Sequence, residues 1–188
     1  MGVKNLKTIF NQYVRLNKKT VLSNGTTLCI DGNGWTYHLY DKIDRKYGGD
    51  YKKFDQIIRK EVNNIIKDGK LNIIVFWDGN VTMMKDNCRN VRRKNNDKRW
   101  GNLQSFCFDG EKYKNDDLPK PQLLIEQMRW TLRDLSIKMV DCDTEADLSI
   151  ATYVNSQPNC YVYADDSDYF VFEVPYIQFS DLKVSAKK

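Results

Sequence analysis

Six acidic residues carry the chemistry this chain could do. Asp31 and Asp78 each close a short apolar run, Asp166 and Asp168 follow a third, and Glu145 and Asp147 stand between. Carboxylates gathered at one place repel, and each is driven toward protonation unless a cation compensates. Hard divalent ions with oxygen ligands do this. His38 is the only histidine, and the five cysteines at 29, 88, 107, 142 and 160 form no CxxC pair. Mg²⁺ or Mn²⁺ therefore suits the set better than Zn²⁺. Two such ions about 4 Å apart can activate a water and stabilise the leaving oxygen of a phosphodiester.

Each acid also has a plainer role. An Asp after a strand is an ordinary turn or N-cap residue, and Thr144-Glu-Ala-Asp147 fits a capping box. On a regular helix Glu145 and Asp147 would point about 200° apart, so they would serve different ions or act through a water. His38 reads as a packing or surface residue.

The elements that must position these acids can be read from periodicity. Residues 6–16 carry Leu6, Ile9, Phe10, Tyr13 and Val14 at helical spacing, and TLCID (27–31) reads as a buried strand. A helix is expected from Asn33 to Tyr40. Asp50 can cap the next, whose stripe is Phe54, Ile57, Ile58, Val62, Ile65 and Ile66, with Gly69 as its stop. NIIVFWD (72–78) is the clearest strand. Pro119 and Pro121 precede a helix with Leu124, Met128, Leu132 and Leu135. A short strand near 137–140, a helix from Glu145 to about Asn155, the strand YVYAD (161–165) and an apolar stretch over Tyr169 to Val174 follow. Repeated βα order implies an α/β fold with a parallel sheet and helices on both faces. Right-handed crossovers bring the strand C-termini to one edge, where open α/β sheets bind ligands.

The 188 residues suit one domain, and 4 Trp, 11 Tyr and 8 Phe argue against disorder. No apolar run approaches the roughly 20 residues of a membrane span, and the N-terminus lacks a leader pattern. An odd number of cysteines without pairing motifs points to a reducing compartment, nuclear or cytoplasmic. The net charge is +5, and the stretch from Lys85 to Arg99 accounts for all of it, with seven basic residues (Lys85, Arg89, Arg92, Arg93, Lys94, Lys98, Arg99) against Asp86 and Asp97. One basic segment on a neutral body points to a localised anionic partner.

Five motifs in order resemble the flap-endonuclease and XPG-like nucleases of PIN-like fold, and within them the asteroid group. MGVKNL is similar to the family's opening, CIDGNGWTYHLY to the strand and helix of its first acid, VFWDGN to its Phe-Asp-Gly, TEADLSIA to its Ser-Glu-Ala-Glu-Ala, and ADDSDYFVF to its Glu-Asp-x-Asp motif. YGGDYKKF and DDSDYFVFEV carry the asteroid resemblance. The resemblance runs from Met1 to about Val174. It implies a three-layer α/β/α domain over 1–188, a mainly parallel sheet, a mobile basic arch at 80–118 and a tail at 175–188. It implies a structure-specific endonuclease acting on branched or single-strand-containing DNA, with RNA possible and no membrane partner. Asp31, Asp78, Glu145, Asp147, Asp166 and Asp168 would hold two Mg²⁺ or Mn²⁺ ions, and Asp165 has no assigned role. Lys85 and Arg92 would polarise the scissile phosphate, Tyr37 would stack on a nucleobase, and Gly2 would lie near the site. Arg89, Arg93, Lys94, Lys98 and Arg99 complete the basic face.

The pattern departs from the family in two places. Asn5 replaces the second N-terminal glycine. The sequence ends at Lys188, short of the family's seventh carboxylate and duplex-gripping hairpin, so the second ion is expected to be held weakly. The alternative is a PIN-like nucleic-acid-binding scaffold with weak or no turnover. A dinucleotide-binding reading of Gly32-Asn-Gly34 fails because Tyr37 stands where a glycine is needed.

Overall fold

The computed structural model describes residues 22–68, 70–80 and 86–182. The expected first helix, Gly2 and Lys85 lie outside them. The chain runs β1 (Thr27–Asp31), α1 (Gly32–Tyr40), α2 (Tyr51–Asn63), β2 (Asn72–Trp77), α3 (Asp86–Asp109), α4 (Leu124–Asp134), β3 (Lys138–Asp141), α5 (Ala146–Ser156), β4 (Cys160–Tyr163) and β5 (Tyr176–Ile177). The sheet order is β3-β2-β1-β4-β5 and every pairing is parallel.

Strand alternation separates the two helical layers. Phe76 turns toward Tyr153 of α5, with ring centroids 5.7 Å apart. Its neighbour Trp77 faces α1 and α4, where Gly32 lies against its ring and the Arg129 guanidinium stacks 5.0 Å from its centroid. A Cβ at Gly32 would sit 2.7 Å from that indole, so only glycine lets α1 start this close to β2. The core between the layers is apolar, and Leu28, Ile30, Trp35, Phe54, Met128 and Leu132 are all fully buried. Cys29 is sealed there too, and burial pushes its thiol up to about 12, which leaves it unreactive.

Three expectations change. The stripe of α2 ends in a π-helical turn (Asn64–Asp68), which buries Ile65 and leaves Ile66 38% exposed. Within the segment expected as a mobile basic arch (80–118), one helix runs for 24 residues, Asp86–Asp109, with most of its described surface in solvent. Its weak apolar periodicity hid its length, because a helix with no core to face has no stripe. The expected tail is part of the sheet as far as Ile177. Val162 N–H donates to Pro175 O at 2.8 Å, and Phe179 is buried against Tyr163. Two residues are too few for alternation to reveal such a strand.

Candidate metal and nucleic-acid site

The chain passes from β1 to β2 on one side and returns across the sheet to β4 on the other, so the direction of winding reverses beside β1. A crevice opens at the strand C-termini there. Asp31 is the last residue of β1 and also the N-cap of α1, accepting from Asn33 N–H at 2.9 Å. The same carboxylate thus caps α1 and lines the crevice. A Cβ on Gly34 would lie 2.5 Å from the other Asp31 oxygen, so the glycine makes room for the carboxylate.

Asp78 joins three elements. Its carboxylate accepts from Asn33 Nδ2 at 2.7 Å and from Ala146 N–H, in the first turn of α5, at 2.8 Å. The loop after β2 is clamped to the loop after β3, with Gly79 N–H donating to Thr144 O at 2.6 Å and Asn80 N–H to Asp143 O at 3.0 Å. This corrects the expected capping box. The N-cap of α5 is Glu145, without a side-chain cap bond. The first-turn N–H is met instead by Asp78, 68 residues away in sequence. Glu145 has extended backbone (φ −75°, ψ 142°). The 200° separation of a regular helix therefore does not apply, and Glu145 and Asp147 line the same cleft.

Asp166 caps a short 3₁₀ turn (Ser167–Phe170) by accepting from Asp168 N–H at 3.0 Å. Asp147, Asp166 and Asp168 each place an oxygen within 4.8 Å of the others. Asp147 also accepts from the buried Tyr169 hydroxyl at 3.0 Å. Asp165 turns away, accepting from Phe179 N–H at 3.2 Å and facing His38 Nδ1 at 3.4 Å. The His38 ring packs 4.7 Å from Phe179, as a packing residue should.

Two of the clustered acids resist ionisation. Burial raises the Asp31 carboxyl to about 7, with the charges of Asp147 and Asp78 adding to it. Burial also raises Asp147, with Asp166 and Asp78 contributing. Burial and the surrounding acids push Tyr169 upward, so it stays a neutral donor. A carboxylate-only set in which Asp31 and Asp147 are held above their normal range, chiefly by burial, fits a hard divalent cation.

The cleft measures about 810 Å³, and Asp31, Asp78, Glu145, Asp147 and Asp166 line it together with Arg92, Asn95, Asn96 and Arg99 of α3. Those four share one face, at i, i+3, i+4 and i+7. Arg93, Lys94 and Lys98 lie about 100° or more around the helix from Arg92, away from the cleft lining. Arg89 belongs to α3 as well. Tyr37 stands in the wall, 40% exposed rather than core-packed.

Two residues were not found from sequence. Lys120 lines the cleft, with Nζ 4.5 Å from the Tyr37 ring centroid and 2.9 Å from Asp41 Oδ1. Burial lowers its pKa. Arg45, with its side chain only 2% exposed, binds Asp41, Asp116 at 3.2 Å and Leu118 O at 3.3 Å. It thereby ties the loop after α3 to the end of α1. The Arg45–Asp41 pair is local, four residues apart, but Asp116 and Leu118 reach Arg45, and Asp41 and Tyr37 reach Lys120, only through the fold.

No protein-family model matches the chain. Among curated proteins, it is 27% identical over 183 residues to the zebrafish (Danio rerio) Single-strand DNA endonuclease ASTE1, covering 93% of this chain and 24% of that protein. It is 25% identical to the Homo sapiens protein of the same name, over 93% of this chain and 25% of that one. It is 26% identical to Protein asteroid of Drosophila melanogaster, over 98% of this chain and 21% of that protein. The chain thus spans about a quarter of the length of these relatives. Among solved structures, the catalytic core of Rad2 in complex with DNA substrate superposes with a TM-score of 0.58 at 13% identity, over 97% of this chain and 51% of that one. Human GEN1 in complex with Holliday junction DNA gives 0.55 at 13% identity, over 92% and 39%. The domain therefore has the three-layer α/β/α fold of these two structures, and over nearly its whole length its sequence resembles the asteroid proteins.

Proposed function

We propose that this domain is a divalent-metal-dependent endonuclease that cleaves single-stranded or branched DNA in the nucleus or cytoplasm. The observation that carries the reading is one cleft lined both by carboxylates from three strand ends and one helix start and by a row of arginines and asparagines. Asp31, Asp78, Glu145 and Asp147 would hold one Mg²⁺ or Mn²⁺, and Asp147, Asp166 and Asp168 a second. Bound there, the ions would activate water and stabilise the leaving oxygen. The chain's own groups do the rest. Arg92 and Arg99 draw the phosphodiester backbone in and oppose the charge that grows on the phosphate. Tyr37 offers its exposed ring to a base beside the cleaved bond, and Lys120 adds a cation at that ring. Asn33 and the α5 N-terminus hold the Asp78 carboxylate in place. Among the described residues no helix is long and apolar enough to cross a membrane.

The test is incubation of the untagged chain with labelled flap, overhang and single-stranded DNA, and single-stranded RNA, in Mg²⁺, Mn²⁺ or EDTA. Cleavage in either metal, none in EDTA and none by Asp78→Ala is the expected result. Wild type and Asp78→Ala behaving alike would sink the catalytic reading, and tight metal-independent binding without cleavage would favour a scaffold. Lys85→Ala with Arg92→Ala should slow cleavage by roughly 100-fold while weakening binding only a few-fold. Equal losses in rate and affinity would make the pair a plain electrostatic tether.

A further inference from the structure

Trp100 is 41% exposed on α3, among cations, whereas Trp35 and Trp77 are buried in the core. Nothing in the fold requires an indole there. The other exposed tryptophan, Trp130, already has the Arg133 guanidinium 5.8 Å from its ring. Counting about 100° per residue from Arg92, Asn96 lies about 40° to one side, Trp100 about 80° and Arg93 about 100°. Asn96 lines the cleft and also sits one turn before Trp100. Trp100 and Arg93 therefore occupy a flank of α3 that continues directly from the cleft wall.

An exposed ring on the same flank as a guanidinium about two turns away, in a row of cations, is chemistry suited to an unpaired nucleobase and its neighbouring phosphate. The ring stacks on the base without regard to its identity, and the cation meets the adjoining phosphate. We propose that Trp100 and Arg93 form a second nucleic-acid subsite, which stacks one unpaired base of the strand where it leaves the cleft past Asn96. The positive charge of the helix selects a polyanion over an acidic-free protein surface. The proposal rests on the nuclease reading and adds a contact outside the cleft.

The test uses the full chain in EDTA and an oligothymidylate of roughly 16 nucleotides, the upper end of a single-strand site. Indole fluorescence should be quenched in wild type, and Trp100→Phe should remove most of that quenching while holding affinity within about threefold, because phenylalanine still stacks. Trp100→Ala should weaken binding roughly 5- to 30-fold by anisotropy of the labelled strand. With a flap substrate and Mg²⁺, it should raise KM by the same factor and leave kcat unchanged. Arg93→Ala should weaken binding and make it less salt-dependent. Wild-type affinity and KM in Trp100→Ala, or undiminished quenching in Trp100→Phe, would overturn the subsite and leave the nuclease reading intact. A wild type that neither binds nor cleaves any strand would overturn both.

Discussion

Asp31→Asn is expected to abolish cleavage while making the metal-free domain more stable above neutral pH. The two effects have one cause. The Asp31 carboxyl is buried next to Asp147 and Asp78, and its pKa is raised from 3.8 to about 7. Between those values the folded chain holds a proton that the unfolded chain has lost, so stability falls as pH rises. The contribution is fully present below about pH 4 and is gone once the pH has passed 7. An asparagine keeps an oxygen to cap α1 at Asn33 N–H and has no charge to bury. Thermal unfolding in EDTA should show wild type losing stability relative to Asp31→Asn from pH 4 to 8. At pH 8 the variant should melt several degrees higher, where 1 kcal/mol corresponds to about 2–4 °C for a chain of this size. Mg²⁺ should raise the wild-type Tm and raise that of the variant less. Cleavage should drop at least about 100-fold, the scale of losing one electrostatic group at a reacting phosphate. A variant that melts no higher than wild type at pH 8 would show that Asp31 is not an uncompensated charge.

Gly79→Ala should damage both fold and rate. Its φ is not positive, so the restriction is space. A Cβ there would lie 1.8 Å from Cys142 O and 2.8 Å from Asp143 O. Both are backbone atoms of the loop that Gly79 and Asn80 clamp by hydrogen bonds, and they cannot rotate away. Separating the loops costs about 1–3 kcal/mol by the usual scale of overpacking, or roughly 2–12 °C of Tm. The separation also moves Asp78 away from Glu145 and Asp147. A displacement near 1 Å can cost about 100-fold in rate, so the activity loss should exceed what the unfolded fraction explains. Circular dichroism melts and initial rates well below the new Tm would separate the two effects. A Gly79→Ala protein with normal melting and turnover would mean that the clamp does not set the site.

The acids were legible because a strand end is a local feature. An apolar run of five or six residues closing on Asp marks both a buried strand and the place where the chain meets solvent. Asp31, Asp78 and Asp166 could therefore be assigned to one sheet edge before any contact was known. Arg92 was singled out with Lys85 by the family resemblance, whereas Arg99 was legible only as one of the basic face and was not separated from Arg93, Lys94 and Lys98. That distinction depends on which side of α3 turns to the cleft, and α3 has no apolar stripe to declare it.

Sequence by itself determined the strand order of the chemistry: which runs are buried, that they alternate with helices, and that carboxylates close three of them. Those properties follow from periodicity and right-handed crossover, which act over tens of residues. Only the tertiary structure decided how the acids work together. Asp78 caps α5 from the end of another strand, Glu145 leaves the helical wheel, Arg45 finds Asp116 and Lys120 finds Asp41 across the fold. Long-range hydrogen bonds of this kind are chosen by packing, and no window along the chain contains both of their ends.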